Sequence, residues 1–236
     1  MGQDGPTWRR VCEGWEVGVG LVLAVLAVAI AVDHGVAGAH LAVGLGLTAC
    51  LAGIARAQGL TAADLGLARS AWPAGLRWGA AAAALVAAAY ALGSLVAPLR
   101  QALPDGGGME WAALWKVLVV IPLGTVLPEE LAFRGLLLAL LRRRHGVVAS
   151  TVISSALFGL WHVLASLGGG AANTMIAGAV GADAAGMMTR VVVTVGFTSL
   201  AGVVLCWLRL RSGSLLAPVL AHWTVNALGV IVALVA

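Results

Sequence analysis

Ionisable side chains are scarce in this chain, yet Glu129, Glu130 and Arg134 crowd into one otherwise apolar stretch. A charged group at the centre of a membrane-spanning helix costs about 2.5 to 3.5 kcal/mol on insertion scales, so such a cluster needs a compensating reason. Glu130 and Arg134 are four residues apart. On a helix they share a face, where pairing offsets part of the cost of burying each. Glu129 points about 100 degrees away. The adjacent carboxylates therefore suit different tasks, Glu130 structural and paired, Glu129 aimed at another surface as a general base. Further along, His162 follows Phe158 by one helical turn, and Asn226 follows His222 by one turn. A carboxylate, two imidazoles and an amide are the inventory needed to activate water and to hold a developing oxyanion. Glu129, His162 and His222 are also of the types that bind Zn²⁺ with a position left for water. There is no H-E-x-x-H helix, and the metal-free, cofactor-free reading is favoured.

The elements that must position these groups are helices in a bilayer. Of the 236 residues, 61% are hydrophobic and only 10% charged, too few to coat a water-soluble domain. A span needs about 20 mostly apolar residues. Runs of that kind fill the chain, and the expected fold is an all-α, polytopic transmembrane helical bundle forming one membrane domain over 1–236. Seven spans are expected, at 15–32, 36–54, 75–96, 111–141, 147–167, 187–208 and 215–235. The Gly- and Ala-rich stretch 168–186 is either a loop or an eighth, half-buried helix. The motif-bearing half is 111–236. The fourth span is longer than one bilayer requires, which implies tilt, a cytoplasmic extension or a break near Pro122 or Pro128. Over 60–74 the pattern turns amphipathic, with Thr61 and Asp64 spaced as a capping box, and a short interfacial helix is expected. Measured from Arg142, His145 and Arg211, the groups Glu129, His162 and His222 lie roughly 20, 25 and 16 Å along their helices, a common depth within tilt.

Alternating the loops between two sides collects Arg9, Arg10, Arg56, Arg69, Arg77, Arg142, Arg143, Arg144, Arg209 and Arg211 on one side, against Arg100 and Arg190 on the other. The positive-inside rule then places the N-terminus in the cytoplasm of an integral membrane protein. The Arg- and Ala-rich composition suits a bacterial plasma membrane. The net charge of +4 is distributed in short clusters between apolar runs, so nucleic acid is not an expected partner. The expected partners are the lipid bilayer and a peptide or protein substrate. Cys12, Cys50 and Cys206 are too widely spaced for a disulfide framework or a zinc cluster. Asp33, His34, His40, His145, Asp105 and Asp183 have no partner at useful spacing and are assigned no chemistry.

Three segments carry a resemblance. Glu129-Glu130-Leu131-Ala132-Phe133-Arg134-Gly135, then Phe158-Gly159-Leu160-Trp161-His162, then His222-Trp223-Thr224-Val225-Asn226 resemble the three ordered motifs of the CPBP family. That family comprises the type II CAAX prenyl proteases and bacteriocin-processing or self-immunity proteins. The first half resembles it only loosely, through Leu65-Gly66-Leu67 before a hydrophobic helix. The resemblance implies a helical intramembrane endopeptidase opening towards the cytoplasm, in which Glu129 and His162 activate water and His222 and Asn226 hold the oxyanion. Glu130, Arg134 and Phe158 would support them. It implies cleavage of membrane-associated or prenylated-type C-terminal tails or small peptides. The alternative is a non-catalytic bacteriocin immunity or peptide-binding protein of the same fold.

Overall fold

The computed structural model describes residues 14–36, 38–94, 111–167, 178, 181 and 183–235. Among them there is no strand. The helices are α1 (Trp15–Gly35), α2 (His40–Ala57), α3 (Trp72–Ser94), α4 (Trp111–Arg142), α5 (Val147–Trp161), α6 (Val163–Leu167), α7 (Ala184–Ser212) and α8 (Leu216–Val235). Five of these regions, Trp15–Gly35, His40–Ala57, Arg69–Gly93, Trp111–Arg142 and Ala184–Ser212, are long and apolar enough to cross a membrane. Val147–Trp161 and Leu216–Val232 are apolar but shorter. Cys12, Arg9, Arg10, Arg100, Asp105, the 95–96 end of the third expected span and most of 168–186 lie outside the described residues.

The surface is what a lipid solvent asks for. Leu85, Leu92, Val148, Phe197 and Leu200 all point outward from long helices, where a soluble protein would carry charge. Without a hydrophobic driving force between helices in lipid, close packing has to come from small residues that let backbones approach. α2 meets α4 at Gly44 and Gly124, where a Cβ on Gly44 would collide with the Gly124 backbone. α5 meets α7 in the same way, with Gly159 against Val195 and Ser199, and Gly202 against Ser155. α8 runs along α3 and also touches α4, so α4 lies enclosed between α2 and α8. Its stretch Pro128–Leu138 is buried without interruption.

The long fourth helix does not break at its prolines. It changes register instead, with π-helical segments Lys116–Val126 and Leu131–Leu137 flanking one α-helical turn, Leu127–Glu130. In a π-helix the carbonyl of residue 117 would pair with the amide of residue 122, but that residue is proline and has no N–H. Trp223 of α8 supplies the missing donor, its Nε1 donating to Val117 O at 2.9 Å. Further along, Phe133 O keeps its helical partner, the Leu138 amide, and accepts a second bond from Ser154 of α5 at 2.7 Å. The expected interfacial helix over 60–74 is replaced by turns at 62–66 and a single 3₁₀ turn, Arg69–Ala71. The Thr61 and Asp64 bonds do form, in both directions, but they close a loop. Gly66, at φ 75°, ends that loop and allows its carbonyl to accept from Leu215 N. The fifth expected span is likewise divided at His162, where an i to i−3 bond from His162 N to Gly159 O ends α5 before α6 resumes.

Candidate active site

The turn Leu127–Glu130 presents the two carboxylates from the most enclosed part of the bundle. Glu130 is fully buried and Arg134 is 1% exposed. Arg134 Nη1 donates to Glu130 Oε1 at 2.9 Å, the pairing that their spacing predicts. The rest of the guanidinium lies over the ring of Phe158, 3.9 Å from its centroid, so the aromatic face supplies part of the stabilisation that water would give outside.

His222 adds a connection that spacing alone does not give. Its Nδ1 donates to the same Glu130 Oε1 at 2.8 Å, while Nε2 stands 3.9 Å from Glu129 Oε2. The second distance is too long for a direct hydrogen bond but leaves the ring beside the carboxylate. Glu130 is therefore more than a partner for Arg134, because it also fixes the orientation of the His222 ring. Glu129 accepts from Trp161 Nε1 at 3.0 Å through Oε1, and its Oε2 has no hydrogen-bond partner in the protein. A cavity of about 50 Å³ opens beside it, lined among others by Pro128, Trp161, Gly124 and His40. That is room for at least one water molecule beside the Glu129 side chain.

His162 joins this group indirectly. Its Nδ1 bonds to Phe158 O at 2.8 Å. A carbonyl only accepts, so Nδ1 carries a proton, and in the neutral ring Nε2 has the lone pair. Phe158 lies edge-on between the two histidines, 4.6 Å from the His162 ring and 5.8 Å from the His222 ring. His162 makes no hydrogen bond to Glu129 or His222. Asn226 is half-buried, one turn beyond His222, and makes no side-chain hydrogen bond. Among the described residues no three metal-binding side chains converge, so the donor set Glu129, His162 and His222 does not fit a zinc ion in this arrangement.

Two features escaped the sequence reading. Trp161 appears in the sequence only as a member of the second motif segment, and its partner 32 residues away could not be inferred. Asp33 and His40, assigned no chemistry, are in fact paired. His40 Nδ1 lies 3.0 Å from Asp33 Oδ2, and its Nε2 bonds to Thr125 Oγ1 at 2.9 Å. The three groups come from α1, α2 and α4, and no spacing rule connects residues 40 and 125. The chain of bonds ends one turn before Glu129, and Asp33, His40 and Glu129 all line the same cavity.

An apolar helical bundle with a buried glutamate pair, a histidine held between the two carboxylates and a second histidine nearby carries the kind of intramembrane ionisable cluster that marks a functional site. The model of the type II CAAX prenyl endopeptidase Rce1-like family matches residues 110–228, half of the chain. The chain belongs to that family, which places it among membrane proteases of the CAAX type. The match covers every motif residue named above, from Glu129 to Asn226. No curated protein and no solved structure shows a significant match.

Proposed function

We propose that this protein is an intramembrane endopeptidase in which Glu129 is the general base. The observation that carries the reading is the arrangement of Glu129 beside a small cavity, with Trp161 holding Oε1 and with Oε2, 3.9 Å from His222 Nε2, left without a hydrogen-bond partner among the described residues. Trp161 fixes the carboxylate so that its open oxygen accepts a proton from a water in that cavity. The resulting hydroxide adds to the scissile carbonyl carbon. In its doubly protonated form His222 donates from Nε2 to the oxyanion, with Glu130 holding Nδ1, and the Asn226 amide donates alongside. Collapse of the tetrahedral intermediate breaks the C–N bond, and Glu129 returns its proton to the leaving amine. His162, its Nδ1 held by Phe158 O, assists the attacking water through Nε2.

The proposed substrates are membrane-associated C-terminal tails or small peptides, cut near the cytoplasmic leaflet of a bacterial plasma membrane with the N-terminus inside. The arginine-rich helix ends support that orientation. Glu129→Gln keeps the shape and the Trp161 bond but removes the base, and a general base contributes roughly 10²- to 10⁴-fold. Mass spectrometry of membrane peptides should show cleavage products lost in cells carrying Glu129→Gln at unchanged protein level. Products that persist at wild-type abundance would remove Glu129 from the chemistry.

A further inference from the structure

At the arginine-rich end of the bundle, away from the glutamates, a cleft of about 480 Å³ opens between the ends of α4 and α7 and the 60–66 loop. Arg142, Arg143 and Arg209 line it, with Asp64 as the one acidic lining residue. Arg209 is the anchored member. It is 6% exposed, its Nη2 donates to Asp64 O at 2.8 Å, and its Nε is buried without a hydrogen-bond partner. It lies so close over Gly66 that any side chain there would overlap the guanidinium. Arg143 uses one nitrogen on Gln58 O at 2.9 Å. Arg142 is exposed and makes no ion pair or hydrogen bond among the described residues. Asp64 offsets only part of this charge, one carboxylate against three guanidinium groups, and that carboxylate also accepts from the amide and hydroxyl of Thr61.

Three guanidinium groups thus converge on a concave space with one carboxylate, itself already hydrogen-bonded. A guanidinium presents its donors as a fork that matches the tetrahedral oxygens of a phosphate group. The level in the membrane agrees: Trp78 and Trp207 stack edge to face at 5.2 Å at the same end of the bundle, with Arg211 5.4 Å from the Trp78 ring. Indoles and arginines in that arrangement mark the headgroup layer. We propose that this cleft binds a phosphate-bearing anion, supplied by the headgroup of an anionic phospholipid or by free phosphate. The proposal does not depend on the proteolytic reading, since no residue of the cleft belongs to the Glu129 site.

Native mass spectrometry of the purified full-length protein tests it, with phosphatidylglycerol, phosphatidylcholine and inorganic phosphate as separate additives. Retention of phosphatidylglycerol over phosphatidylcholine identifies a lipid source, and retention of inorganic phosphate that competes with the lipid identifies the shared chemistry. Each arginine near a membrane surface contributes on the order of a tenfold change or somewhat less, so Arg142→Gln with Arg143→Gln should lower retention roughly tenfold or more. Arg69→Gln with Arg144→Gln removes the same charge outside the cleft and should leave retention unchanged. Asp64→Asn should raise it, a gain that a damaged fold would not produce. Equal retention of the two lipids with no binding of phosphate, or equal losses from both double variants, would overturn the proposal.

Discussion

Two carboxylate–imidazole pairs of nearly equal length stand in this bundle under opposite conditions. Glu130 and His222 are joined at 2.8 Å with the glutamate side chain wholly buried. Asp33 and His40 are joined at 3.0 Å with side chains 29% and 45% exposed. The length of the bond does not distinguish them, so the difference lies in what each group would do if its partner were lost. Asp33 and His40 would turn to water or lipid headgroups at little cost. Glu130 has no such recourse, and its Oε2 is already without a hydrogen-bond partner. It is held by Arg134, His222 and the aromatic ring of Phe158 acting together through the guanidinium. A buried charge makes its neighbours indispensable, whereas an exposed pair leaves them replaceable.

The strongest test of that contrast is Arg134→Ala. It leaves Glu130 charged and buried with only His222 to answer it, a loss expected to cost about 3 to 5 kcal/mol. The variant should accumulate poorly in membranes and melt well below the wild type in detergent. Adding Glu130→Gln to Arg134→Met removes both charges while keeping shape, and should recover much of the lost stability. Normal accumulation of Arg134→Ala would show that the pair is not what holds this helix.

Next in size is Trp223→Phe, which keeps the ring but withdraws the donor from Val117 O. A buried carbonyl left unsatisfied costs about 1 to 3 kcal/mol, and the melting temperature in detergent should fall accordingly. An unchanged melt would mean that the π-helical register tolerates its proline without help from α8.

How much of this was legible beforehand follows from how local each feature is. The apolar runs, the Glu130–Arg134 pairing and the placing of Phe158 beside His162 depend on contacts within one or two turns, and the helical repeat exposes them directly. The membership of the chain among CAAX-type proteases was readable from three motifs whose order and spacing survive in the linear sequence. Hydrogen bonds from Trp161 to Glu129 and from His222 to Glu130 span 32 and 92 residues, and only the packing of α4 between its neighbours brings them together. The π-helical segments were invisible for a related reason. A register change keeps the same apolar composition, and Pro122 advertised a break without saying that Trp223 would compensate for it. Asp33 and His40 looked idle because each was judged against its own helix, while the bond to Thr125 crosses to another.

The exposed pair should respond weakly. His40→Gln loses the contact with Asp33 yet retains an amide able to bond the Thr125 hydroxyl, and a change of about 1 kcal/mol or less is expected from a pair this accessible. Thermal melting in detergent at low and high salt checks it, since an exposed pair is also screened. A loss as large as that of Arg134→Ala would erase the distinction between the two regions.

Asp64 extends the series to a carboxylate lying outside the spans and exposed on its loop. The side-chain hydroxyl of Thr61, then its amide, hold the Asp64 carboxyl below the ordinary carboxylate range, with Arg143 and Arg209 adding to the effect against a smaller opposing cost of burial. The sign follows from linkage. A depressed value in the folded protein means that the unfolded chain binds the proton more readily, so the stability from this group is present above the unfolded value of about 3.9 and is lost as pH falls through the lower folded value. Wild type should therefore outlast Asp64→Asn in thermal melts near neutral pH, and the lead should shrink only below about pH 4. Because the group faces solvent the lead will be small, the least of the effects predicted here. A lead that persisted unchanged into strong acid would show that the Thr61 bonds do not depend on the charge, and that this loop is held by Arg209 and Gly66 alone.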